Sequence, residues 1–98
     1  TNTEAYDLLQ RAKLLLNQNT KVANKEAIEL LEKAVLADPD YADGYSQLGD
    51  AYIQGTGRSI YPPNEAYPKA KMAFEIQLVI LLITQMTVTH QQNAITAF

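Results

Sequence analysis

The chain has 98 residues, with 8 Lys/Arg, 11 Asp/Glu, a formal net charge of −3, one His and no Cys. That length supports one small domain, and the acidic balance lacks the basic stripe on which nucleic-acid and anionic-membrane binders rely. Zero Cys removes disulfides, thiolate nucleophiles and cysteine zinc sites, and one His has no second His with which to hold a metal.

The 19 charges all lie in the first 75 residues, so that Ile76 to Phe98 carry none. The first helix is predicted over 3–17, because Ala5, Leu8, Leu9, Ala12, Leu15 and Leu16 recur at the spacing that gathers one face. Thr3 reads as its N-cap, and Asn17-Gln18-Asn19-Thr20 breaks the pattern. A second helix is predicted over 24–37 with Ala27, Ile28, Leu30, Leu31, Ala34 and Val35 inside, stopped by Asp38-Pro39-Asp40. A third, over 41–54, places Ala42, Tyr45, Leu48, Gly49, Tyr52 and Ile53 on one face. The mid-helix Gly49 reads as a point where another helix backbone comes close, and Gly55-Thr56-Gly57 reads as the closing turn. The fourth helix is predicted from 64 through 75 and onward, its start between Asn64 and Tyr67 because Pro68 suits only an early helical position.

After Glu75 the periodicity disappears. Leu78-Val79-Ile80-Leu81-Leu82-Ile83 is apolar on every face, yet Gln77, Thr84, Gln85 and Thr87 deny the run the 18 apolar residues expected of a membrane span. Ten of the last 23 residues are Ile, Val or Thr, which suit strands as well as helices. The expectation is helix to about Ile83 and a second helix from about Thr87, with a strand as the alternative.

The spacings repeat. Ala27, Leu31, Ala34 and Pro39 have offsets of 4, 7 and 12, Ala66, Ala70 and Ala73 repeat the first two, and Tyr45, Leu48, Gly49 and Tyr52 fall at 3, 4 and 7. Over Glu26 to Tyr52 this pattern resembles the tetratricopeptide repeat family. The wording Glu4-Ala5-Tyr6-Asp7-Leu8 and Pro62-Pro63-Asn64-Glu65-Ala66-Tyr67-Pro68-Lys69-Ala70-Lys71 is similar to modules fused to bacterial winged-helix regulators and adenylate cyclases. The resemblance implies an all-α fold of two helix-turn-helix hairpins over 1–75, with 76–98 as an atypical apolar tail. It implies a protein-contact scaffold of a larger bacterial regulatory protein, with the signalling chemistry elsewhere in the parent chain. A groove would then be lined by Tyr6, Leu9, Lys13 and Leu16 of the first helix and by Asp43, Ser46, Asp50 and Ile53 of the third. Ser46 and Asp50 stand where the family's carboxylate-clamping members carry Asn and Lys, so basic or neutral peptides are the expected ligands.

No catalytic constellation emerges. His90 has no carboxylate near it in sequence, and Asp38, Asp40, Asp43 and Asp50 lack the spacing and central Gly of a calcium loop. No cofactor, metal, nucleic acid or membrane is expected as partner. The tail is read either as buried, in a capping helix or a subunit interface, or as an altered end never selected for this fold. The interface reading assigns Leu78, Val79, Ile80, Leu81, Leu82, Ile83 and Val88 to contacts with a second chain and predicts a homodimer or higher assembly. Self-association through this tail is the alternative function. The start at Thr1 suggests a piece of a longer protein, and the lack of a visible targeting segment suggests a cytoplasmic one.

Overall fold

The computed structural model describes residues 2–57 and 59–96, with side chains as far as Gln92. Arg58, Ala97 and Phe98, which the sequence reading placed in a loop and in the tail, lie outside the described residues. Four helices follow one another: α1 (Thr3–Leu16), α2 (Lys21–Ala37), α3 (Ala42–Gly57) and α4 (Pro63–Thr96). No strand occurs among the described residues, so the strand alternative for the tail falls.

Each helix end has a local chemical cause. The N-cap of α1 is Asn2 rather than Thr3: its Oδ1 accepts from the Ala5 amide at 2.7 Å. The same side chain donates to the Ala37 carbonyl at 2.8 Å, and the Asn2 amide donates to Asp38 Oδ2 at 3.3 Å. One residue therefore starts α1 and ties it to the end of α2. Asn19, with φ 59°, turns the chain out of α1.

Thr20 caps α2 by accepting from the Ala23 amide at 3.1 Å, so this helix starts three residues before the expected Asn24. The early turn was hidden because Val22 is exposed while the polar Asn24 is buried, an inversion of the amphipathic rule.

The expected turn at Gly55-Thr56-Gly57 is helical instead. The stop comes two residues later, where Ser59 adopts φ 59°, its amide donates to the Thr56 carbonyl and the Ile60 amide donates to Gly55. That pair of bonds is a Schellman closure with Ser in the place usually held by Gly.

Helix α4 begins at Pro63, earlier than expected. Pro62 supplies the carbonyl that accepts from Glu65 and Ala66, and proline at the first helical position loses no bond that the helix would have made. Pro68 consequently sits inside the helix, where it cannot donate to Asn64. The expected break near Thr84 is absent: α4 runs for 34 residues.

The helices pack in sequence as antiparallel pairs. Asn2 at the start of α1 meets the end of α2, Asn24 near the start of α2 donates to Ala51 late in α3, and Phe74 in α4 lies over Gly49 of α3. Helix α3 touches α2, α4 and, more lightly, α1. The core is rich in alanine (Ala5, Ala12, Ala27, Ala34, Ala51, Ala66, Ala70 and Ala73), with Leu9, Leu31 and Tyr52 as bulky fillers. Small side chains bring the helix axes close, and the large ones occupy the remaining holes.

Gly49 shows the principle most directly. A Cβ there would stand 2.6 Å from the Phe74 ring, so the missing side chain admits an aromatic ring from α4 rather than the helix backbone that the sequence suggested. Gly55 is likewise a packing position: its Cβ would meet the Tyr61 ring at 2.7 Å.

The tail is not buried against the hairpins. Beyond Ile80 every described side chain of α4 is exposed, which overturns the capping-helix reading within a single chain. The radius of gyration is 15.9 Å and the long axis 57 Å, whereas a compact chain of this length would have a radius of about 13 Å. Projection of α4 accounts for the difference, since 34 helical residues extend roughly 51 Å.

Candidate functional site

The residues predicted to line a groove on α1 and α3 divide into two groups. Tyr6, Lys13, Asp43, Asp50 and Ile53 are exposed and Ser46 is partly so. Leu9 and Leu16 are 2% and 7% exposed and belong to the core, so a ligand in this chain meets neither. The family resemblance put them on the groove face, whereas the helical spacing gathered them with Ala5, Leu8 and Ala12, and the packing follows the spacing.

Tyr6 and Asp43 come together around Tyr41. The Tyr41 phenol is held above its ordinary value of 10.0 by burial first, and then by Asp43, Tyr6 and Asp38. Burial raises Tyr45 as well, with smaller contributions from Asp40 and Asp38. This end of the α1–α3 surface is therefore acidic and tyrosine-rich, and the Tyr41 and Tyr45 phenols are neutral donors at physiological pH. Asp38 is structural: its backbone carbonyl accepts from Tyr41 and its Oδ1 from the Asp40 amide. Among the described residues no three His, Asp or Glu side chains gather as a metal site.

Ile53 lies apart from that cluster. It lines an open cleft of about 420 Å³ between α3 and α4 with Tyr67, Ala70, Phe74 and Leu78 and the charged Lys71 and Glu75, and the surface it meets there is mostly apolar. Leu78, expected at a subunit interface, thus shares a cleft with Ile53, expected in the groove. A second opening, of about 380 Å³, lies between α1 and α2 and is lined by Arg11, Leu14, Leu15, Glu26, Glu29 and Leu30. The sequence reading assigned no role to that side.

Asn24, Glu32, Tyr52, Tyr61 and Lys69 organise the α2–α3–α4 junction through contacts that the sequence reading did not foresee. Asn24 is 1% exposed; its Nδ2 donates to the Ala51 carbonyl at 3.2 Å while its Oδ1 has no partner. Tyr52 donates its hydroxyl to Glu32 Oε1 at 3.0 Å, Tyr61 meets its ring edge-on at 5.8 Å, and Lys69 stands 5.6 Å from its centroid. Burial, followed by the Glu32 hydrogen bond and charge, pushes the Tyr52 phenol far above its usual range. A polar residue at an a-type position was the only signal for Asn24, and it was read as a helix start.

Of the residues expected at a subunit interface, Leu78, Val79, Leu81, Leu82, Ile83 and Val88 are all roughly half exposed, and Ile80 is partly covered. Thr84 and Thr87 donate their hydroxyls to the carbonyls of Ile80 and Ile83, which hides two of the polar groups in the segment. By length and composition α4 is sufficient to cross a membrane, since an 18-residue window within Pro63–Gln92 reaches a mean hydropathy of 1.6. The flanking polar residues therefore do not deny it a span on that criterion, contrary to the sequence expectation.

Compared with known proteins, the chain matches no family model, no curated protein and no solved structure.

Proposed function

We propose that the chain is a non-enzymatic protein-interaction module, formed by two hairpins of the tetratricopeptide type and working within a larger, bacterial regulatory protein. The observation that supports this reading is the packing of α1 with α2 and of α3 with α4, with α3 also resting on α2 and, lightly, on α1. In a repeat array the first helix of every hairpin lines the binding face, and on this reading α1 and α3 take that place. The buried alanines Ala27, Ala34, Ala66 and Ala70, and Gly49 beneath the Phe74 ring, support the same arrangement.

The ligand is a protein segment of basic or neutral character. Asp43 and Asp50 lie exposed on α3, with Lys13 as the counter-charge on α1, and Tyr6 and Ile53 add apolar contact area at the two ends. Solvated charges of this kind steer encounter and are sensitive to salt.

A fluorescence titration with a lysine-rich and a glutamate-rich peptide of equal length tests the reading. The full chain should prefer the lysine-rich peptide, and Asp43→Lys with Asp50→Lys should weaken that binding by about tenfold, the scale of 1.4 kcal/mol. Equal affinity for both peptides, unmoved by the double substitution, would remove the groove from consideration.

A further inference from the structure

From Leu78 to Val88 the far part of α4 reserves no face for water. At about 100° per residue, Leu78, Leu82 and Met86 lie on one side and Val79 and Ile83 on a second. Ile80, Leu81 and Val88 share the remaining side with Gln77 and Thr84. These apolar side chains are nonetheless open to solvent, all exposed apart from the partly covered Ile80. Two hydroxyls in the stretch are already bonded inward. Thr84 Oγ1 donates to the Ile80 carbonyl at 2.9 Å and Thr87 Oγ1 to the Ile83 carbonyl at 3.0 Å, so neither depends on water for a partner.

We propose that α4 from Ile76 onward is a membrane-spanning segment, surrounded by the hydrocarbon of a lipid bilayer, with the paired helices before it held at one surface. It does not depend on the α1–α3 groove. Apolarity on every side decides between a bilayer and a second helix. A stripe on one side is covered by one partner helix, whereas a helix apolar all round is covered only in a protein core or in lipid. The core of this chain does not cover it, because only 6% of the apolar 18-residue window is buried. Nor does it stand where a leader would, since three packed helices precede it.

Length and boundaries agree with a span. As helix, Ile76 to Thr96 extend about 30 Å, the thickness of a hydrocarbon core. Lys71 and Glu75, exposed and 3.8 Å apart, mark the near boundary, where a lysine stem lies along lipid with its ammonium among the headgroups. His90, Gln91 and Gln92 fall in the last third, toward the headgroups of the other side. Gln85 leaves an amide near the middle, a cost outweighed by the run Leu78 to Ile83.

The chain has no Trp, so single introduced tryptophans report depth. Reconstituted from detergent into uncharged phosphatidylcholine vesicles, the full chain should float with them on a density gradient. Leu81→Trp and Ile83→Trp, on opposite sides of the helix, should both be quenched about twofold or more by lipids brominated along their acyl chains. Leu14→Trp, exposed on α1, should not. Leu82→Arg should lower the floating fraction at least tenfold. A chain that stays in solution, as a monomer or as a dimer paired through α4, would overturn the proposal. Quenching of only one of Leu81→Trp and Ile83→Trp would also overturn it, since that marks a helix lying in the plane of the interface. The tryptophan variants keep Leu82, so their result stands even where Leu82→Arg fails to fold.

Discussion

Gly49 is the position where a single added carbon has the clearest consequence. A methyl group there meets the Phe74 ring at 2.6 Å, and overpacking of this kind costs about 1–3 kcal/mol, partly offset by the roughly 1 kcal/mol by which alanine favours a helix. Gly49→Ala should therefore lower stability by about 1 kcal/mol in urea unfolding. In a Phe74→Ala background the clash is gone, and the same substitution should raise stability instead.

Asn24 is the other sensitive residue, buried with one hydrogen bond made and one acceptor unpaired. Asn24→Ala loses that bond at about 1–2 kcal/mol, whereas Asn24→Asp introduces a buried carboxylate and should cost about 3 kcal/mol at pH 7. The Asp variant should recover part of the loss at pH 3, where the carboxyl is neutral.

The tyrosines give an alkaline signature. Tyr41, Tyr45, Tyr52 and Tyr61 all titrate above 10.0 when folded, burial being the largest cause in each. A raised folded value means that the folded state holds its proton longer than the unfolded chain. The associated stability is complete below pH 10 and is lost as the pH rises toward the folded values. Thermal melting should fall steeply above pH 10, and Tyr52→Phe should make that fall shallower.

At the scale of the elements, Ser59 is the weakest closure. A non-glycine residue in left-handed geometry costs roughly 1–2 kcal/mol, so Ser59→Gly should stabilise the α3–α4 connection by about 1 kcal/mol. Asn19 occupies the same region of backbone space but tolerates it better, because its short amide side chain forms local hydrogen bonds.

The helices themselves were legible wherever burial followed the 3.6-residue period. Ala27, Leu31 and Ala34 of α2 and Ala66, Ala70 and Ala73 of α4 were assigned to the core from spacing alone and are buried. The boundaries were less legible because their causes are polar contacts: Asn2 reaches the end of α2, and Asn24 reaches into α3, neither of which a one-dimensional pattern records. Leu9 and Leu16 show the corresponding limit for the site. A helix face between a groove and a core is narrow, and only the position of the neighbouring helix decides to which side a leucine belongs. The tail was illegible for a further reason. With no charge and apolar residues all round, it carries no period, and only the continuity of α4 reveals that Gln77, Thr84 and Gln91 lie along one side.

For the whole molecule, two surfaces stand apart: an exposed, mixed-charge face on α1 and α3, and the exposed, uncharged and largely apolar far part of α4. Their separation follows from the boundary at Glu75, after which the solvent-facing side of α4 loses its charge. Hydrogen exchange of the full chain, followed as a lysine-rich peptide is added, measures both surfaces at once. The account predicts that the peptide slows exchange in α1 and α3 and leaves the far part of α4 unchanged. Protection of that part of α4, with none in α1 and α3, would contradict it.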